Sequence, residues 1–178
     1  VENTIRGDPA LEPATIAAAR RLVGRGAVAV TSNCGFLIRH QWAVATALDV
    51  PVALSSLILL PALLRQLSPA AKIAVLTFDS TRLTEDMLGV VDFADRSRIA
   101  IAGVEGGEFW HNSLDRPPRL SGLDVIERDV TASLARIRAT HPDIAGIVFE
   151  CAGFPPVSRR RSVAQRSFRS TISPISPD

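Results

Sequence analysis

Lys72-Ile73-Ala74-Val75-Leu76-Thr77-Phe78-Asp79 is an almost unbroken apolar run that ends on an acid. It shows no polar alternation, so it reads as a strand buried on both faces, as in a parallel sheet. Similar short runs occur on either side of it, at 27–30, 50–54, 99–104 and 144–149. Between them the spacing of apolar residues predicts helices over 9–24, 39–48, 57–67, 79–88 and 123–140. Pro9 and Pro13 suit the start of the first helix and Gly24 its end, while Pro61 starts or kinks the third. Residues 106–122 carry the Gly, Pro, Asn and Asp content of a loop or lid. Strands alternating with helices predict an α/β fold, mainly parallel sheets flanked by helices.

Composition removes several classes of function. Twenty basic and 18 acidic side chains leave a net charge of +2, too balanced for a dedicated nucleic-acid binder. The excess lies in residues 157–178, where Arg159, Arg160, Arg161, Arg166 and Arg169 outnumber the single acid Asp178. Ser, Arg and Pro dominate that tail, which is expected to be poorly ordered and solvated. No GxxxxGK[ST] phosphate loop is present. His40, His111 and His141 stand far apart without a metal-ligand spacing, so no metal site is expected. The longest apolar stretch, 50–64, is interrupted by Pro51, Ser55, Ser56 and Pro61 and falls short of the roughly 20 residues a membrane helix needs. No signal peptide is visible. A cytoplasmic protein with reduced thiols, no membrane partner and no nucleic-acid partner is therefore expected.

In open α/β sheets ligands bind beyond the carboxyl ends of the strands. The only two cysteines both fall there. One follows the first predicted strand in Thr31-Ser32-Asn33-Cys34-Gly35-Phe36, and the other follows the last in Glu150-Cys151-Ala152-Gly153-Phe154-Pro155-Pro156. A glycine lies one or two positions after each. Free backbone N–H groups at such turns carry partial positive charge, which predicts a lowered thiol pKa and a place for a carboxylate. Two such thiols around a carbon acid could remove and return an α-proton, work that requires pKa values near ambient pH. Against this, free cysteine also packs as a small buried hydrophobe. Glu150 reads either as a group tuning Cys151 or as an ordinary surface carboxylate. Asp79 reads first as a helix cap.

The segments TSNCGF, VPVALSSL, KIAVLTFD and ECAGFPP together resemble the aspartate/glutamate/hydantoin racemase superfamily, over about residues 6–156. The resemblance implies a two-lobed α/β architecture over 1–156 with the site between the lobes. It implies a cofactor-independent racemase or epimerase of an amino acid or related carboxylate, with Cys34 and Cys151 as the acid/base pair. Ser32 and Asn33 would contact the substrate or Cys34. Ser55 and Ser56 would offer hydroxyls after the second strand, although they also suit helix caps. Thr77 lies at the third strand end. Backbone N–H groups at Gly35, Ala152 and Gly153 would hold the carboxylate. No cofactor and no metal are implied. Maleate isomerase and arylmalonate decarboxylase chemistry, or a silent carboxylate-binding protein, are the alternatives. Relative to that pattern, a first strand before Gly7 and a helix and strand after Pro156 are not recognised. The fold is therefore expected to be incomplete, with a tail of the kind a shifted reading frame produces. Sheet edges left open by such losses favour association into a homo-oligomer.

Overall fold

The computed structural model describes residues 2–154, so the arginine-rich tail expected over 157–178 lies outside the described residues. The chain opens with a short helix α1 (Glu2–Arg6) and a longer helix α2 (Leu11–Gly24). Strand β1 (Val30–Thr31) leads through a 3-10 turn at Gly35–His40 into α3 (Gln41–Thr46). Strand β2 (Val52–Ala53) follows, then a second 3-10 turn and α4 (Leu60–Gln66), with Pro61 in its first turn where no N–H is needed. Strand β3 (Lys72–Thr77), helix α5 (Phe93–Ser97) and strand β4 (Ile99–Gly103) come next. Helices α6 (Glu108–Leu114) and α7 (Leu123–Thr140) precede the last strand, β5 (Ile144–Phe149).

The strands form two small parallel sheets flanked by helices. The first pairs β1 with β2, and the second has the order β4-β3-β5. The α/β class expected from the sequence is what the chain adopts. β3 is central, and Ile73, Ala74, Val75, Leu76 and Thr77 are all at most 1% exposed, which is why its sequence lacks alternation. Helix α7 covers the second sheet with Ile126, Val130, Ser133 and Ile137, a stripe at spacings of four, three and four. Burying each aliphatic side chain of that stripe contributes roughly 1.5–3 kcal/mol. Ser133 is tolerated there because its hydroxyl donates to the Gly103 carbonyl at 2.7 Å.

Three local readings differ from the sequence expectation. Residues 79–88 do not form one helix but two 3-10 turns, Ser80–Arg82 and Glu85–Leu88. Leu83 between them is extended and buried, and delivering it to the core breaks the helix. The expected loop over 106–122 contains α6. Its first turn is held by a distant group, the Asp129 carboxylate accepting the Phe109 N–H at 2.8 Å. The first strand is shorter than the apolar run 27–30, for Val28 is exposed and pairing begins only at Val30.

Candidate active site

The parallel strands aim their carboxyl ends at one region, and both cysteines lie in it. Cys34 follows β1 and Cys151 follows β5, and the two residues pair directly in an isolated antiparallel bridge that joins the two sheets. The Ala152 N–H donates to the Asn33 carbonyl at 3.4 Å beside the bridge. That bond connects the neighbours of the two cysteines, which makes Cys34 and Cys151 a non-hydrogen-bonded pair whose side chains leave on the same side. Both are half-buried free thiols.

Both thiols line one cavity of about 310 Å³, together with Asn33, Glu150, Thr4, Ile5, Ser113 and the rings of Phe36, Phe78 and Phe109. Phe78 and Phe109 meet edge to face at 5.5 Å. A second cavity of about 340 Å³ lies beside it and shares Glu150 and Cys151. Ser32, Gly35, Ser55, Ser56 and Ala152 line this second space, so the sequence-picked residues are divided between two chambers. Its hydroxyls are largely committed. Ser32 accepts from the Cys34 N–H at 3.0 Å, Ser55 caps the turn after β2 by accepting from the Leu57 N–H, and Ser56 donates to the Phe149 carbonyl at 2.7 Å. Thr77 is fully buried with its hydroxyl on Glu150, and Gly153 packs beside the Cys151 sulfur. Asp79 caps the turn after β3 through the Thr81 N–H.

Glu150 is 4% exposed, and its charge acts on both thiols. Its Oε2 accepts from the Thr77 hydroxyl at 2.9 Å and from the Phe78 N–H at 3.3 Å. The N–H groups of Phe36 and Gly35 also favour its ionised form. The anion cradle expected at Gly35 thus holds a carboxylate of the chain itself. No ion pair reaches Glu150 among the described residues. Burial therefore prevails over these donors and raises its pKa above the ordinary carboxylate range.

The thiols shift opposite to the sequence expectation. Burial, then the nearby Glu150 charge, raises Cys34, against N–H groups of Phe36 and Leu37 that favour its thiolate. Cys151 is pushed up to about 12, chiefly by burial, with further repulsion from Glu150 and Cys34 and only the Gly153 N–H in opposition. The turns do supply donors, but desolvation and a neighbouring carboxylate outweigh them. Among the described residues no group of three or more His, Cys, Asp and Glu gathers where it could hold a metal ion. No helix of the described residues is long and apolar enough to cross a membrane.

No family model matches the chain. Curated relatives do. The chain is 30% identical over 139 residues to dimethylsulfoniopropionate lyase of Durusdinium sp. clade D, a match covering 75% of this chain and 45% of that protein. It is 32% identical over 158 residues to dimethylsulfoniopropionate lyase 7 of Emiliania huxleyi (strain CCMP1516), covering 85% of this chain and 46% of that protein. The chain spans about half the length of the curated relatives it matches.

These names overturn the family and activity expected from the cysteine motifs. The relatives are lyases, and the amino-acid racemase or epimerase, the maleate isomerase and arylmalonate decarboxylase alternatives and the silent carboxylate binder have no support among them. The physical reason is that thiols at strand ends suit proton transfer in isomerases and in eliminating lyases alike, and the short segments around Cys34 and Cys151 do not distinguish the two.

Proposed function

We propose that this chain carries the reaction centre of a lyase that cleaves dimethylsulfoniopropionate into dimethyl sulfide and acrylate. The observation that carries the reading is the 310 Å³ cavity, where both thiols, three phenylalanine rings and a buried carboxylate with no cationic partner among the described residues meet. That combination suits a substrate with a sulfonium at one end and an acidic carbon at the other. Aromatic faces attract a cation within about 6 Å of the ring centroid. The Glu150 carboxylate supplies the opposite charge, and the substrate offsets the cost of keeping that charge buried. The Asn33 carboxamide and the Thr4 hydroxyl, both on the cavity wall, are donors for the propionate carboxylate.

In this reading Cys34 is the base. It has two backbone N–H groups favouring its thiolate, where Cys151 has one and also bears the repulsion of Cys34. The Cys34 thiolate takes the proton from the carbon next to the carboxylate. The electron pair forms the carbon–carbon double bond, the bond from the neighbouring carbon to sulfur breaks, and dimethyl sulfide leaves as a neutral thioether. Cys151 stays a thiol and donates a hydrogen bond to the charge developing on the carboxylate. The proton on Cys34 then passes to water. One face of the substrate suffices for this elimination, which agrees with two side chains leaving the same side of one bridge. The sulfonium also assists ionisation, because a cation between Glu150 and the thiols favours the thiolate.

The test is ligand binding read separately from turnover. Dimethylsulfoniopropionate should raise the melting temperature of Cys34→Ala, which cannot turn it over, more than the uncharged thioether 3-(methylthio)propionate does. Equal stabilisation by the two ligands would contradict a sulfonium site.

A further inference from the structure

We infer that Asp129, which does not line the thiol cavity, is a positioning residue for it: through helix α6 it holds the Phe109 ring in place as the cavity's outer wall. Three rings line that cavity, and two of them are fixed in the core, Phe36 at 1% exposed and Phe78 at 6%. Phe109 is the partly exposed one, carried on the first turn of α6, and Ser113 from the next turn lines the cavity beside it. The Phe109 ring meets Phe78 at 5.5 Å and Phe154 at 6.3 Å, both edge to face. A Cβ built on Gly153 would lie 3.6 Å from the tip of that ring and 3.5 Å from the Cys151 sulfur, so the wall stands close to the thiol.

A helix of seven residues is not stable on its own in water, and α6 has no cap from its own sequence, since Gly107 stands at its N-cap. Asp129 supplies one from α7. Its Oδ2 accepts the Phe109 N–H at 2.8 Å, one of the first-turn donors that a helix cannot pair internally. The carboxylate also places negative charge at the positive end of the helix. Gly107 permits the approach, because a Cβ there would lie 2.5 Å from the same Oδ2. The other ties are weaker. Trp110 Nε1 donates to the buried Asp79 at 3.4 Å, and the exposed Glu108–Arg128 pair is open to water and salt. Removing the Asp129 acceptor therefore releases the residue that carries the wall, and the cavity opens on the side of α6. Under the lyase reading, on which this consequence alone rests, a released wall no longer holds a small substrate against the thiols, so KM rises by a larger factor than kcat falls.

The experiment measures alkylation of Cys34 and Cys151 by iodoacetamide in the folded chain, followed by peptide mass. Asp129→Ala and Phe109→Ala should each speed it about tenfold, the change in open population that losing one hydrogen bond to a charged group allows. The double variant should be no faster than Phe109→Ala, because Asp129 acts through that ring. Asp129→Asn keeps an acceptor oxygen and should stay within about twofold of the parent. Should Asp129→Ala lose its fold by circular dichroism, Gly107→Ala takes its place, since its methyl group displaces the same carboxylate. Unchanged alkylation in these variants, single effects that multiply in the double variant, or an Asp129→Asn rate as high as that of Asp129→Ala would overturn the assignment. Turnover of dimethylsulfoniopropionate is read separately. Its absence in the parent chain counts against the lyase reading and leaves the alkylation result standing.

Discussion

A side chain at position 35 would collide with Glu150, since a Cβ built on Gly35 lies 2.6 Å from both Cγ and Oε1 of that residue. The glycine after the first thiol is thus the floor of a carboxylate cradle. Gly35→Ala should force Glu150 out of its hydrogen bonds and cost about 1–3 kcal/mol in a denaturant titration, because a buried charge loses its donors. Lyase activity should fall much further than stability. An alanine variant with unchanged stability and turnover would contradict the cradle.

Thr77→Val removes one donor from Glu150 while keeping the shape of a wholly buried side chain. It should destabilise the fold by about 1–2 kcal/mol and raise the Glu150 pKa further, since the lost bond favours the carboxylate. Denaturant midpoints of the variant at several pH values report both effects.

Glu150 also predicts how stability depends on pH. Its folded pKa is raised, so the folded chain holds this proton more tightly than the unfolded chain does. The associated stability is fully present below the ordinary carboxylate pKa and is lost as pH climbs through the raised value. Glu150→Gln should remove that component of the melting curve. It should also raise KM for the sulfonium substrate, through loss of the opposing charge, by more than it lowers kcat.

The thiols act at the alkaline end. Between 9.0 and about 12 an unfolded Cys151 gives up its proton while the folded one keeps it, so stability declines across that window. Cys151→Ala should flatten the alkaline decline in thermal melts. Cys34 adds to the decline in the same direction.

Much of this architecture is legible in the chain. The continuous apolar run at β3 identifies a strand buried on both faces, whereas the similar run at β5 forms an edge strand in which only Val148 is buried, and the two cysteines stand just beyond strand ends. What local sequence does not carry is the long-range contact. Helix α6 is capped by Asp129 from α7, and its Phe109 forms a cavity wall that loop-like composition conceals. Glu150 precedes Cys151 in sequence, yet its significance lies in Thr77, Phe78 and Gly35, all distant along the chain. The thiol pKa values fail for the same reason. Turn N–H groups are visible locally, whereas burial and the Glu150 charge come from the assembled fold.

If a bound sulfonium assists ionisation of Cys34, the pH dependence should differ between free and bound states. The rising limb of kcat, which reports the complex, should lie at lower pH than that of kcat/KM, which reports the free protein. Superimposed limbs would remove substrate-assisted ionisation from the mechanism.

The most direct measurement incubates the purified chain with dimethylsulfoniopropionate and quantifies dimethyl sulfide in the headspace and acrylate in solution. The account predicts equal amounts of the two products, formed in proportion to protein, with Cys34→Ala at background although it still binds the substrate. A folded chain that releases neither product at any pH, or a Cys34→Ala variant with undiminished release, would contradict it.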